Sequence, residues 1–90
     1  MAYKIELTKK AHKQLKNIDK KQGLIIIKWL DKHVNNCTNY KEVASYKELT
    51  GNNKGAFRYR IGNYRVICEL KNNELVIVAI RIGHRKDIYK

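Results

Sequence analysis

Five arginines, Arg58, Arg60, Arg65, Arg81 and Arg85, fall toward the end of this chain, and the 57 residues before them hold none. Lysine crowds that earlier stretch instead. An ammonium is a hydrated point charge that disperses over a solvated surface, whereas a guanidinium is a planar fork that grips phosphate at two points. Among and after the last arginines stand His84, Lys86 and Tyr89. These residue types can together cut RNA without a metal, using the 2′-hydroxyl as internal nucleophile on the adjacent phosphate. The reaction needs an acceptor for that proton, a donor for the departing 5′-oxygen, and cations around the phosphorane-like transition state. Arginine supplies the cations and is a poor base, because it stays protonated at physiological pH. Histidine is the side-chain type that titrates near neutrality, which makes His84 the candidate base. Tyr89 is a candidate to orient the 2′-hydroxyl or shuttle a proton. Glu69 is a second candidate base, or a salt-bridge partner for Arg58, Arg60 or Arg65.

Such groups act together only if ordered elements hold them on one surface. Residues 56–61 read as a strand, Gly62-Asn63 as a two-residue hairpin turn, and 64–70 as the returning strand. A second turn at 71–73 leads to a third strand at 74–82, rich in β-branched residues. Gly83 is expected to break it, leaving 84–90 as a short tail. Side chains alternate between the two faces of a strand. Alternation sets Phe57, Tyr59 and Ile61 against Arg58 and Arg60, and Tyr64, Val66, Cys68 and Leu70 against Arg65, Ile67 and Glu69. In the third strand Val76, Val78, Ile80 and Ile82 oppose Leu75, Ile77, Ala79 and Arg81. Burying the apolar sets gathers Arg58, Arg60, Arg65 and Arg81 on the uncovered face as an RNA-binding surface. His84, Arg85, Lys86 and Tyr89 then form a polar cluster at its edge.

Upstream, residues 2–7 alternate as a short half-buried strand, and Thr8 is a plausible N-cap. A helix follows to about Asp19, with Ala11, Leu15 and Ile18 on one stripe. A second helix, from about Lys21 to Asn36, carries Leu24, Ile27, Leu30, Val34 and Cys37 on its apolar side, a stripe widened by Ile26 and Trp29. Residues 38–55 have no clean period and read as a partly ordered connection anchored by Tyr46 and Leu49. The expected fold is α+β, in the order β-α-α-β-β-β. A helical hairpin packs on one face of a mainly antiparallel four-stranded sheet, and residues 1–90 form a single domain.

A net charge of +12 on 90 residues implies an anionic partner, since association with RNA or DNA displaces condensed counterions. Apolar runs such as Leu24-Ile25-Ile26-Ile27 are far below the roughly 18 to 20 residues a membrane span needs. The first residues lack the apolar core of a signal peptide, so a cytoplasmic protein without membrane contact is expected. Cys37 and Cys68 have no metal-ligand spacing and read as small buried apolar side chains. His12 and His33 read as solvated and Trp29 as packing between helix and sheet.

Four blocks carry a family resemblance: Leu49-Thr50-Gly51, Phe57-Arg58-Tyr59-Arg60-Ile61-Gly62, Tyr64-Arg65-Val66-Ile67 and Ile82-Gly83-His84-Arg85-Lys86-Asp87-Ile88-Tyr89. With the element order and the length, they resemble the RelE branch of the RelE/ParE superfamily of bacterial type II toxins. The resemblance implies a microbial-RNase-like domain that cuts mRNA in the ribosomal A site and uses no metal or other cofactor. It implies a cognate RelB-like antitoxin as partner, beside the ribosome with its 16S rRNA and A-site mRNA. Operator DNA would be reached only indirectly, through the antitoxin. Carried over residue by residue, Arg65 contacts the scissile phosphate, Arg85 stabilises the transition state or assists the leaving group, and Tyr89 positions the 2′-hydroxyl. Arg58 and Arg60 stand where the best-studied branch has lysines, one of them proposed as the base. The base is then His84, or catalysis rests on positioning and electrostatics. The spacing from Arg85 to Tyr89 is shorter than in that branch. The rival within the superfamily is a ParE-like inhibitor of DNA gyrase with no nuclease activity. A third reading is a plain RNA-binding module or an inactive member held as an antitoxin partner.

Overall fold

The computed structural model describes residues 1–51, 54–71 and 74–89. Asn52, Asn53, Asn72, Asn73 and Lys90, on which parts of the expected loop, second turn and tail fall, lie outside the described residues. The chain runs β1 (Lys4–Leu7), α1 (Lys9–Lys16), α2 (Lys20–His33), a 3₁₀ turn (Tyr40–Glu42), β2 (Lys47–Glu48), β3 (Phe57–Ile61), β4 (Tyr64–Leu70) and β5 (Val76–His84). Thr8 starts α1 as expected, its Oγ1 accepting from the Ala11 N–H at 3.1 Å. Asp19 does the same for α2, accepting from Gln22 at 3.4 Å.

Ala11 and Leu15, one turn apart, form the buried stripe of α1. In α2 the buried line is Gly23, Ile26, Leu30 and then Val34: Leu30 and Val34 lie as expected, Ile26 is central to the stripe instead of widening it, and Leu24 and Ile27 fall outside. Four apolar residues in a row give a helix no phase of their own. Packing settles it: Gly23 lies against α1, its Cβ position at ordinary contact distance, 3.5 Å, from the Leu15 carbonyl oxygen, and Ile26, Leu30 and Val34 continue that line into the core. Leu24, Ile25 and Ile27 are consequently left 49%, 45% and 46% exposed.

The strands form one sheet in the order β1-β5-β4-β3-β2, with β1 parallel to β5 and every other pair antiparallel. This is the expected α+β architecture with one strand more. The addition is β2, two residues long, and two residues are too few to show an alternation in sequence. The outer side of β1 is covered by the exit of α2. Asn35 Oδ1 accepts from the Ile5 N–H at 3.2 Å, and the Asn36 N–H donates to the Tyr3 carbonyl at 2.7 Å. Such cover blunts an edge that would otherwise invite pairing.

The assignment of faces on β5 needs correcting. Ile77 and Ala79 are fully buried, while Val76, Val78 and Ile80 are only partly so, the reverse of the expected parity. The cause is a β-bulge. Ile67 pairs with Arg81 but the next residue, Cys68, pairs with Ala79, so Ile80 is an extra residue. Parity changes there, and Ile82 and Arg81 keep the faces expected of them. Gly83 does not end the strand; it pairs with Arg65, and β5 runs on to His84. Leu70, placed in the core by alternation, is 38% exposed at the end of β4.

The main core lies between helices and sheet, where Ile26, Leu30 and Val34 meet Tyr59, Val66, Cys68 and Ile77. Tyr59 is fully buried and its hydroxyl donates to the Tyr40 carbonyl at 2.7 Å. Burial pushes that phenol far above its ordinary pKa. Both cysteines are free, Cys68 buried and Cys37 half-buried. A second, smaller cluster sits on the opposite face, where Ala56, Ile67 and Ile88 are buried against Leu49 and Ile80. The face expected to be uncovered therefore has an apolar floor of its own. No helix among the described residues is long and apolar enough to cross a membrane.

Candidate functional site

Alternation along β3 and β4 sends Arg58, Arg60 and Arg65 to the face away from the helices, and register sets their neighbours. Arg60 lies directly opposite Arg65, and Lys47 of β2 directly opposite Arg58. Opposed like charges destabilise a sheet by the order of 0.2 to 1 kcal/mol per pair. Two such pairs side by side make a surface that is electrostatically unsatisfied until an anion binds.

Local hydrogen bonds fix these side chains. Ser45, at a φ of 66°, presents its carbonyl to Arg58 Nη1 at 2.6 Å. Its hydroxyl donates to the Arg60 carbonyl at 3.0 Å and accepts from the Arg60 N–H at 2.8 Å. One serine thus replaces a strand neighbour for Arg60 and orients Arg58. Gly62 turns the chain between β3 and β4 at a φ of 59° and accepts from Arg65 Nη1 at 3.2 Å. The Arg85 N–H donates to the Asn63 carbonyl at 2.8 Å, tying the C-terminal segment to the same turn.

Arg65 is the electrostatic centre of the group. Burial lowers its pKa, and the nearby guanidiniums of Arg58, Arg60 and Arg85 lower it further, while Tyr89 acts the other way. An open cleft of about 380 Å³ lies over this centre, lined by Lys47, Glu48, Leu49, Thr50, Arg58, Arg65 and Tyr89. Such an arrangement can hold a phosphodiester between forked cations with a phenol beside it.

Of the residues expected at the site, Arg58, Arg65 and Tyr89 share the cleft, with Arg60 and Arg85 within electrostatic reach. Arg81 is on the same face but donates through Nη2 to the Ile88 carbonyl. Lys86 is exposed, and its backbone N–H donates to His84 Nδ1 at 3.1 Å. His84 is a correction. It belongs to β5 and pairs with Tyr64, so its ring shares the helix-side face and contacts Tyr64 at 5.6 Å between centroids. Strand parity holds one residue further than expected and turns the imidazole away from the arginines. Glu69 has the arginine-bearing parity, but it sits opposite Val78, toward the far end of β4.

Lys47, Glu48 and Thr50 were missed, because the segment holding them has no period of its own. The one signal was the Leu49-Thr50-Gly51 block, which belongs to the family resemblance without lying in a recognisable element. A second surface is apolar. Two hollows, of about 400 and 250 Å³, meet at Ile27 on the helical side and include Leu24, Ile18, Ile5 and Leu7. No group of three or more His, Cys, Asp or Glu side chains able to hold a metal comes together among the described residues.

Residues 5–89 match the family described as ParE toxin of type II toxin-antitoxin system, parDE. Among solved structures the chain is similar to the toxin–antitoxin complex RelBE2 from Mycobacterium tuberculosis, with a TM-score of 0.74 and 19% identity over 94% of this chain and 100% of that one. It is similar to the RelB–RelE antitoxin–toxin complex from Methanococcus jannaschii, at 0.66 and 25% identity over 93% and 94%. It is also similar to YafQ from E. coli, at 0.64 and 16% identity over 98% and 99%. No curated protein matches the sequence.

Proposed function

The chain belongs to the ParE toxin family of type II toxin–antitoxin systems, and from that premise we propose that it arrests growth by cutting mRNA in the ribosomal A site. The observation that carries this reading is the cleft in which Arg58, Arg65 and Tyr89 meet over an apolar floor, with Lys47 opposite Arg58. Arg65 grips the scissile phosphate. Arg85 stabilises the charge that builds on the phosphorane and the departing 5′-oxygen, and Tyr89 orients the 2′-hydroxyl. Arg58, Arg60 and Lys47 clamp the flanking phosphates, with Arg81 and Lys86 as outlying charges. The 2′-oxygen forms a bond to phosphorus as the bond to the 5′-oxygen breaks. The products are a 2′,3′-cyclic phosphate and a 5′-hydroxyl, with one proton moved from the first oxygen to the second.

Among the described residues no imidazole lines the cleft and Glu48 is the carboxylate on its wall, and on this reading the reaction rests chiefly on position and on the cation field. Bringing nucleophile and phosphate into line is worth several kcal/mol by itself. A field of guanidiniums makes the 2′-hydroxyl easier to deprotonate as charge develops.

The protein partner on this reading is a cognate RelB-like antitoxin. Two of the similar structures are complexes of that kind. The half-exposed Leu24 and Ile27 beside Ile5 and Leu7 offer such a partner an apolar anchor. The ribosome supplies the substrate, and operator DNA is reached through the antitoxin.

The family description favours a second reading, a ParE-like inhibitor of DNA gyrase with no catalytic residues. A reporter mRNA translated in a purified bacterial system and mapped by primer extension separates the two. Codon-phased cuts that disappear in Arg65→Ala and Arg85→Ala support the nuclease. Intact mRNA together with blocked DNA supercoiling overturns it in favour of the inhibitor.

A further inference from the structure

We infer that Ile88 and Gly83 are positioning residues, which together set the Tyr89 ring beside Arg65 in the cleft. This rests on the nuclease reading above and gives it a mechanical part. Gly83 pairs with Arg65, so it stands in the middle of the arginine-bearing face. Unlike Gly51, Gly55 and Gly62, it has no left-handed φ, so its backbone does not call for glycine. Its surroundings do. A Cβ at this position would stand 3.1 Å from Ile88 Cδ1, tighter than ordinary contact. The missing side chain opens a seat on the sheet, and Ile88 fills it.

Ile88 is 3% exposed, packed with Ala56 and Ile67. Its backbone is held at both ends. The N–H groups of Asp87 and Ile88 donate to the His84 carbonyl at 2.9 and 3.0 Å, and the Ile88 carbonyl accepts from Arg81 Nη2. Tyr89 has no such anchorage: it is 51% exposed, and among the described residues no hydrogen bond holds its hydroxyl. Its place in the cleft is inherited from the residue before it. This also accounts for the outlying place of Arg81, whose guanidinium is engaged with the Ile88 carbonyl.

The test follows cleavage and ring position separately in Ile88→Ala and Gly83→Ala, each alone and with Tyr89→Ala. In the purified translation system, Ile88→Ala should slow cutting by roughly ten- to a hundredfold, the penalty for a misplaced group, with KM little changed. In a Tyr89→Ala background it should cause no further loss. An equal loss in both backgrounds would mean Ile88 serves stability alone and would overturn the inference. Gly83→Ala should show a smaller loss with the same dependence on Tyr89.

The second readout needs no activity. In fluorotyrosine-labelled protein, the Tyr89 resonance, assigned with Tyr89→Phe, should move to the solvent-exposed position in Ile88→Ala while the other resonances stay folded. An unmoved resonance also overturns the inference. If the wild type cuts nothing, the nuclease reading fails, and the resonance still decides whether Ile88 places the ring.

Discussion

Replacing Arg60 by glutamine should make the domain more stable and a poorer ligand for RNA. Arg60 stands opposite Arg65, and its charge is among those that lower the Arg65 pKa. An opposed like-charge pair costs of the order of 0.2 to 1 kcal/mol. Arg60 is exposed, so water and salt keep its share to about 0.3–0.6 kcal/mol. Glutamine keeps most of the stem and loses only the charge. In a domain of 60–100 residues about 1 kcal/mol moves the melting temperature by about 4–8 °C, so the expected rise is about 1–5 °C. It should shrink in high salt, where the repulsion it relieves is already screened. One phosphate contact fewer should also lower the slope of log affinity against log salt for single-stranded RNA by about 0.7. Thermal melts at low and high salt, with RNA titrations at several salt concentrations, measure both effects. A lower melting temperature, or an unchanged salt slope, would refute the reasoning.

Three further outcomes are expected. His84→Ala should cut mRNA at a rate close to wild type with the same pH profile, because its ring lies with Tyr64 on the helix side; loss of the alkaline or acid limb in that variant would contradict the assignment. Tyr59→Phe should cost about 1–2 kcal/mol in urea unfolding, since the partly buried Tyr40 carbonyl loses its donor at 2.7 Å; a neutral effect would show that water replaces the donor at that carbonyl. Burial raises the Cys68 thiol above its ordinary value of 9.0, so its contribution to stability is complete below pH 9 and is lost as the pH rises past it. The unfolded thiol ionises first there and draws the equilibrium toward the unfolded chain. Cys68→Ala should be less stable at neutral pH yet show a shallower alkaline decline, and an unchanged slope would remove Cys68 as its cause.

Elements with a strong local signal were readable from sequence. Thr8 ahead of a lysine-rich amphipathic stretch starts a helix because a hydroxyl can satisfy an orphan N–H, and it does so here. Gly62 makes the β3–β4 turn because glycine takes a φ of 59° without strain. The same turn fixes the register that puts Arg60 opposite Arg65. Where the local signal was degenerate, reading failed. The run 24–27 is apolar at every phase, and only packing against α1 and the sheet chose the buried stripe. Residues 47 and 48 become a strand because β3 offers them a partner, not because of their own pattern.

By itself the sequence determined the charge of this protein, the position of its arginines on one face of β3 and β4, and the family to which it belongs. Alternation is a local rule, and those two strands obey it without interruption. Tertiary structure decided what local rules cannot carry. The bulge at Ile80 inverted part of β5, a one-residue insertion visible only against its partner strand. The continuation of β5 to His84 turned the expected base away from the cleft. The seat at Gly83 drew Ile88 onto the sheet and so brought Tyr89, six residues further along, to Arg65. Each of these depends on which strand lies alongside and how closely, and a chain acquires neighbours of that kind only by folding.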